Sequence, residues 1–96
     1  MSTLFVFATI HPKPQHFEDA KAAIQGIIEE TRSEPGCLFF ALYEGREDNR
    51  LYLYEEWTDA AALESHYAQP YTRAVFDSYA EWLAEPVDVV KMRKVA

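Results

Sequence analysis

The sequence predicts an α+β fold of four strands and two helical segments, and three observations predict it. Short runs of large apolar residues at strand period recur four times. Two longer stretches between them repeat apolar residues at spacings of three and four. Prolines and glycines separate the two kinds of stretch, and the resulting order is β, α, β, β, α, β. That is the order of a ferredoxin-like sheet, in which helices cover one face.

Thr3 to Ile10, TLFVFATI, is β-branched and aromatic and reads as the first strand. It stops at His11-Pro12-Lys13-Pro14, where two prolines exclude regular pairing. In the helix that follows, Phe17, Ala20, Ile24, Ile27, Ile28 and Thr31 form one stripe, while Glu18, Asp19, Lys21, Gln25, Glu29, Glu30 and Arg32 oppose it. Gly26 in its middle costs about 1 kcal/mol against alanine, which indicates either a close approach of another backbone or a tolerated surface glycine. Ser33-Glu34-Pro35-Gly36 ends the helix, because the proline biases Glu34 away from helical geometry and the glycine is free to take positive φ. Cys37 to Glu44, CLFFALYE, is the second strand, with Cys37, Phe39, Ala41 and Tyr43 on one face and Leu38, Phe40 and Leu42 on the other. The charged turn Gly45-Arg46-Glu47-Asp48-Asn49 joins it to the third strand as an antiparallel hairpin.

The third strand, Leu51 to Trp57, puts Leu51, Leu53, Glu55 and Trp57 on one side and Tyr52, Tyr54 and Glu56 on the other. Both sides carry large apolar groups, so a cover is expected above and below. Thr58 or Asp59 caps the next helix, whose inward face holds Leu63, His66 and Tyr67. Gln69-Pro70 opens a further helix and so splits the second helical segment in two. Thr72, Val75, Phe76, Tyr79, Trp82 and Leu83 form its stripe, Pro86 stops it, and Val87 to Val95 is a fourth, partly exposed strand. Since neither face of strands two and three reads as wet, a second copy's sheet is the expected lid, giving a homodimer with a dimeric α+β barrel. Residues 1–96 show no repeat or linker and read as a single domain.

A chain of 96 residues buries about 60 to 65% of its unfolded surface, enough for one modest core. Aromatics at 15% are rich for that size, and self-association is the simplest way to cover them. The net charge of -7 argues against a nucleic-acid partner, which needs a concentrated positive face. Lys91, Arg93 and Lys94 form a basic cluster that reads as solvated edge residues. The single cysteine, Cys37, excludes an internal disulfide, suits a reducing cytoplasm and reads as a small buried residue at a strand start. The amino terminus lacks the basic lead and cleavage site of a signal peptide, and no apolar run approaches the roughly 20 residues of a membrane span, so a cytoplasmic protein is expected. No Cys or His spacing of ligand type suggests a metal.

Glu55 and His66 are the groups embedded among aromatics that could move protons near neutral pH. Glu34-Pro35-Gly36-Cys37, Tyr54-Glu55-Glu56-Trp57 and Ala62-Leu63 with His66 and Pro70 resemble the signature of the antibiotic biosynthesis monooxygenase domain family, which includes small quinol monooxygenases. The resemblance runs over nearly the whole chain in order and spacing. It implies dimeric α+β barrels of ferredoxin-like subunits, a pocket between sheet and helices in each, and, as in many members, neither metal nor other cofactor. Position by position it points to Glu55 and Trp57 of an E-x-W element and to His66 of an A-L-x-x-H element. Many relatives carry another histidine just after the proline, where this chain has Tyr71. Haem-degrading relatives place their ligand histidine further along than His66, beyond which this chain has none, so no haem is implied.

Oxygen insertion without a cofactor needs a substrate that supplies electrons, as deprotonated phenols and quinols do. The expectation is a monooxygenase taking molecular oxygen and a small aromatic or quinol-like compound, with His66 as base and Glu55 as its partner. Trp57, Tyr71, Phe76, Tyr43 and Phe39 are the candidate substrate walls, by stacking on a flat ring. Each group also has a structural role open to it: His66 as a satisfied core residue, Glu55 in a buried ion pair or cap, the rings as core. Two other functions compete. One is a non-catalytic dimeric module that binds a small hydrophobe, as in a stress response. The other is an isomerase of a small sugar phosphate, for which Arg73, Lys13 and Arg50 are the candidate phosphate ligands.

Overall fold

In the computed structural model, which describes residues 2–96, strand β1 (Leu4–Pro12) leads through a short 3-10 turn (Pro14–His16) into helices α1 (Phe17–Gln25) and α2 (Ile28–Arg32). Strands β2 (Cys37–Glu44) and β3 (Leu51–Trp57) follow, then helices α3 (Ala60–Tyr67) and α4 (Pro70–Trp82) and strand β4 (Leu83–Met92). The strands lie in the order β2-β3-β1-β4, and all neighbours are antiparallel. This is the ferredoxin-like α+β sheet, with its second helical segment split before Pro70.

Register explains which face is buried. Val6 pairs with Glu55 and Glu55 with Phe40; Ala8 pairs with Leu53 and Leu53 with Leu42; Ile10 pairs with Leu51. These residues share the face roofed by the helices, where Phe17, Ala20 and Ile24 of α1 and Val75 of α4 pack on Ile10 and Leu51. Burying each Leu, Ile or Phe side chain contributes about 1.5 to 3 kcal/mol, and this face supplies the core. The opposite face carries Phe7, Phe39, Tyr43 and Val90, exposed at 37, 44, 53 and 45%. Phe7 stacks on Tyr52 at 5.8 Å, and Phe39 tilts against Tyr54 at 5.7 Å. Among the described residues no helix is long and apolar enough to cross a membrane.

Four local expectations change. The first helix is two: Gly26 closes α1, its N–H donating to the Ala22 carbonyl at 2.9 Å, and the chain steps through Ile27 before α2 resumes. Gly26 is exposed and nothing but its own helix approaches it, so the tight contact lies elsewhere. That contact is at Gly36, where φ is not positive; a Cβ there would sit 2.3 Å from Ala62 Cβ, so α3 requires the glycine by proximity. Strand β1 continues through Pro12, paired irregularly with Leu83. Pro86 lies inside β4 rather than stopping α4, which the position allows because β4 is an edge strand with a register shift there. Helix α4 ends earlier, at Trp82, where Leu83 turns extended and the Lys13 N–H satisfies the Trp82 carbonyl at 2.8 Å.

Candidate active site

Between the sheet and its helices lies a cavity of about 390 Å³. This is the smaller end of the roughly 300 to 1,000 Å³ range of small-molecule pockets, sized for one or two rings. Ala8, Leu53 and Glu55 form its sheet side, and His66, Val75 and Phe76 its helical side. Its polar atoms come from Glu55, His66, Thr72 and two tyrosines, Tyr67 and Tyr79; among the described residues no lysine or arginine lines it.

Helix α3 positions His66. Asp59 caps it, its carboxylate accepting from the Ala62 N–H at 2.9 Å, and the A-L-x-x-H spacing then turns Leu63 and His66 inward together. His66 is 4% exposed. Its ring lies 4.9 Å from that of Trp57 and meets the edge of Phe40 at 5.6 Å. Its Nδ1 lies 2.9 Å from Glu34 Oε2; an ionised carboxylate only accepts, so against it Nδ1 carries the proton and Nε2 keeps the free lone pair. Nε2 takes no partner among the described residues, and it is not sealed: the one sealed, unpaired side-chain oxygen or nitrogen there is Thr31 Oγ1. The Tyr71 hydroxyl donates to the same Glu34 oxygen. Burial, and then donation to Glu34, push the Tyr71 phenol well above its usual range.

Glu55 comes from β3 and is 5% exposed. Burial raises its pKa from 4.5 to about 7; the Trp57 hydrogen bond opposes the rise and the charge of Glu34 adds to it. The Trp57 Nε1–H donates to Glu55 Oε1 at 2.9 Å, and Oε2 takes no partner among the described residues. Near neutral pH this carboxyl therefore stands close to half protonated, able to give or take a proton inside the cavity.

His66 and Glu55 both line the cavity, as the sequence led one to expect, but they are not hydrogen-bonded partners. The two-residue period of β3 aims Glu55 and Trp57 at the same face, where the indole takes the carboxylate. Glu34, from the turn between α2 and β2, occupies the place at His66 expected for Glu55. Phe76 is in the cavity wall; Trp57 is fully buried and supports His66 from the core, outside the lining. Tyr71 reaches the site through Glu34 and does not line the cavity. Phe39 and Tyr43 are not at the cavity at all, because strand alternation puts them on the open face, opposite Phe40 and Leu42. Glu34, Tyr67 and Tyr79 were missed as site residues. Tyr67 and Tyr79 stood on the inward helical stripes, and Glu34 preceded a Pro-Gly turn that has to pack on something. Among the described residues no three His, Cys, Asp or Glu side chains gather as metal ligands would.

A ferredoxin-like sheet with an apolar hollow and acid-base groups set into its wall defines a class of small pocket-bearing α+β proteins. The profile of one family in that class, antibiotic biosynthesis monooxygenase, matches residues 3–78, and the chain belongs to this family. It is similar to the uncharacterized protein sll1783 of Synechocystis, 36% identical over 97% of this chain and 63% of that protein, so it spans less than two thirds of that relative's length. It is similar to the protein named "Putative monooxygenase Rv0793" of Mycobacterium tuberculosis, 31% identical over 92% of this chain and 87% of the other. The solved structure of Rv0793 superposes with a TM-score of 0.93 at 28% identity, covering 99% of this chain and 97% of that one. The structure of PA3566 from Pseudomonas aeruginosa gives 0.93 at 28% identity, covering 100 and 97%.

Proposed function

We propose that the chain is a monooxygenase that oxidises a small aromatic or quinol-like compound with molecular oxygen, without a cofactor, and works as a homodimer. The observation that carries the reading is an imidazole with a free Nε2 on the wall of a ring-lined cavity, its other nitrogen held by a carboxylate. Nε2 takes the proton of the substrate hydroxyl, and the Glu34 carboxylate offsets the positive charge that builds on the ring as it does so. The resulting phenolate is electron-rich enough to pass electrons to oxygen. One oxygen atom enters the ring, the other leaves as water, and the quinol supplies all the electrons as it becomes a hydroxylated quinone. Glu55, near half protonated at neutral pH, donates to the oxygen that leaves. Phe76, Tyr67 and Phe40 offer ring faces and exclude water from the reactive intermediate.

A sugar phosphate suits this cavity poorly, since no cationic side chain lines it among the described residues. The homodimer rests on the open sheet face, whose half-exposed rings a second sheet would cover. Oxygen uptake with substituted hydroquinones tests the function. Uptake is expected with the natural chain and a loss of about 10²-fold or more in His66→Ala. Tight binding of the same compounds with no uptake would overturn the monooxygenase reading and make the cavity a sequestering site.

A further inference from the structure

Glu34 stands between two cavities. Its Oε2 holds His66, which lines the inner cavity, while Glu34 itself lines a surface groove of about 360 Å³ with Thr58, Asp59, Ser65 and Gln69. The groove and the inner cavity share no lining residue. Oε1 of Glu34 takes no partner among the described residues and is not sealed, so one carboxylate oxygen serves the imidazole and the other stays open to exchange. The side chain as a whole is 10% exposed.

The backbone holding that carboxylate is fixed on both sides. The Glu34 N–H donates to the Thr31 carbonyl at 3.0 Å, and the Glu34 carbonyl accepts from the Cys37 N–H at 3.0 Å. Two residues on, the Gly36 carbonyl accepts from the Thr58 N–H at 2.9 Å, tying the turn to the start of α3. These bonds fix the backbone from which the Glu34 carboxylate meets the imidazole.

The geometry points to a proton path that runs from the inner cavity through His66 and Glu34 to the surface groove, with Glu34 fixing the imidazole in its Nδ1–H tautomer. This rests on the proposed function. The substrate proton binds Nε2 as the Nδ1 proton passes to Glu34, so the ring gains one proton and loses one. Glu34 then exchanges its proton with water in the groove. When the oxygen–oxygen bond breaks, Glu55 and Nε2–H each give one proton to the oxygen that leaves as water, Glu34 restores Nδ1 and the second quinol hydroxyl returns a proton to Glu55, so no net proton is consumed, as the overall oxidation requires. Other ionisable groups around His66 and Glu34 are Glu55 and Tyr79 in the cavity wall, Tyr67 on the same helix as His66, Tyr71 on Glu34, and Cys37, whose thiol is pushed up by burial and by the charge of Glu34. Tyr71 keeps its proton and donates to the same carboxylate oxygen without competing as a base.

Two measurements test the path on the full chain. In the first, histidine-selective nitrogen-15 spectra report the tautomer of neutral His66. Nδ1–H is expected in the natural protein and a shift toward Nε2–H in Glu34→Gln, which keeps the side-chain shape; Nε2–H in the natural protein overturns the proposal. In the second, Glu34→Ala is assayed with methylhydroquinone and dihydroxynaphthalene, its fold checked by circular dichroism. A loss of about 10²-fold in kcat with KM little changed is expected, and formate entering from the groove should restore at least about tenfold. An unchanged kcat, or a folded Glu34→Ala that formate does not rescue, overturns the path. If the natural chain oxidises neither compound nor any other hydroquinone, the functional reading fails by itself, and the tautomer measurement still upholds or overturns the role of Glu34.

Discussion

Replacing Glu55 by glutamine isolates the cost of an ionisable group in the cavity wall. In the unfolded chain this carboxyl ionises near its ordinary 4.5, and in the folded chain burial holds its proton up to about 7. Between those values the folded state binds the extra proton, so stability falls as pH rises, by about 1.4 kcal/mol per pH unit, and is level on either side. The whole window is worth about 3 kcal/mol at 1.36 kcal/mol per pH unit. At 5% exposure solvent screening takes little from that figure. The amide of Glu55→Gln cannot ionise, yet its carbonyl oxygen still accepts from the Trp57 indole, so the variant drops the charge and keeps the contact. Urea unfolding of both proteins at equal concentration, at about pH 4 and about pH 8, gives the difference that matters, because the groups they share cancel. The variant should gain on the natural chain by up to about 3 kcal/mol between the two conditions. An offset that does not change with pH would refute the reasoning, since it would mean that burial does not oppose ionisation at this position.

Three further outcomes follow from single positions. Gly36→Ala should lower stability by about 1 to 3 kcal/mol by thermal or urea unfolding, because its new methyl would overlap Ala62 Cβ and push α3 from the turn that carries Glu34. Thr31→Val should raise stability by about 1 kcal/mol, since Thr31 Oγ1 is buried without a partner among the described residues and the isosteric methyl needs none. Phe7→Lys, on the open sheet face, should weaken the proposed dimer by more than about tenfold in sedimentation equilibrium; an unchanged association constant, or a natural chain that sediments as a monomer, would overturn the pairing through this face.

Most of the fold was legible because local period and register carry it. Strand alternation in Leu51–Trp57 placed Glu55 on the inner face, and the i, i+3, i+4 spacing of Leu63, His66 and Tyr67 placed the imidazole there too. Strand and helix limits near Pro12, Gly26 and Pro86 were less legible, because each residue's effect depends on whether its strand is an edge or its helix has a partner, which is tertiary information. The same alternation told against Phe39 and Tyr43 as pocket walls: with Phe40 turned inward, its neighbour Phe39 had to face out, and Tyr43 shares the face of Phe39.

The pairing inside the site was not legible, and the reason is specific. Glu34 and His66 are 32 residues apart, so no period connects them. Glu55 and Trp57 are two apart on one strand face, and their local bond orients the carboxylate toward the indole, one of its oxygens taken. A carboxylate two residues from an indole on the same strand face has a near donor before any helix is docked, whereas a carboxylate in a Pro-Gly turn acquires its partner when the turn packs. That Gly36 admits no side chain against Ala62 is the sequence's one trace of this packing. The glycine brings the turn onto α3, the turn brings Glu34 to His66, and the imidazole so oriented keeps a free nitrogen for the cavity.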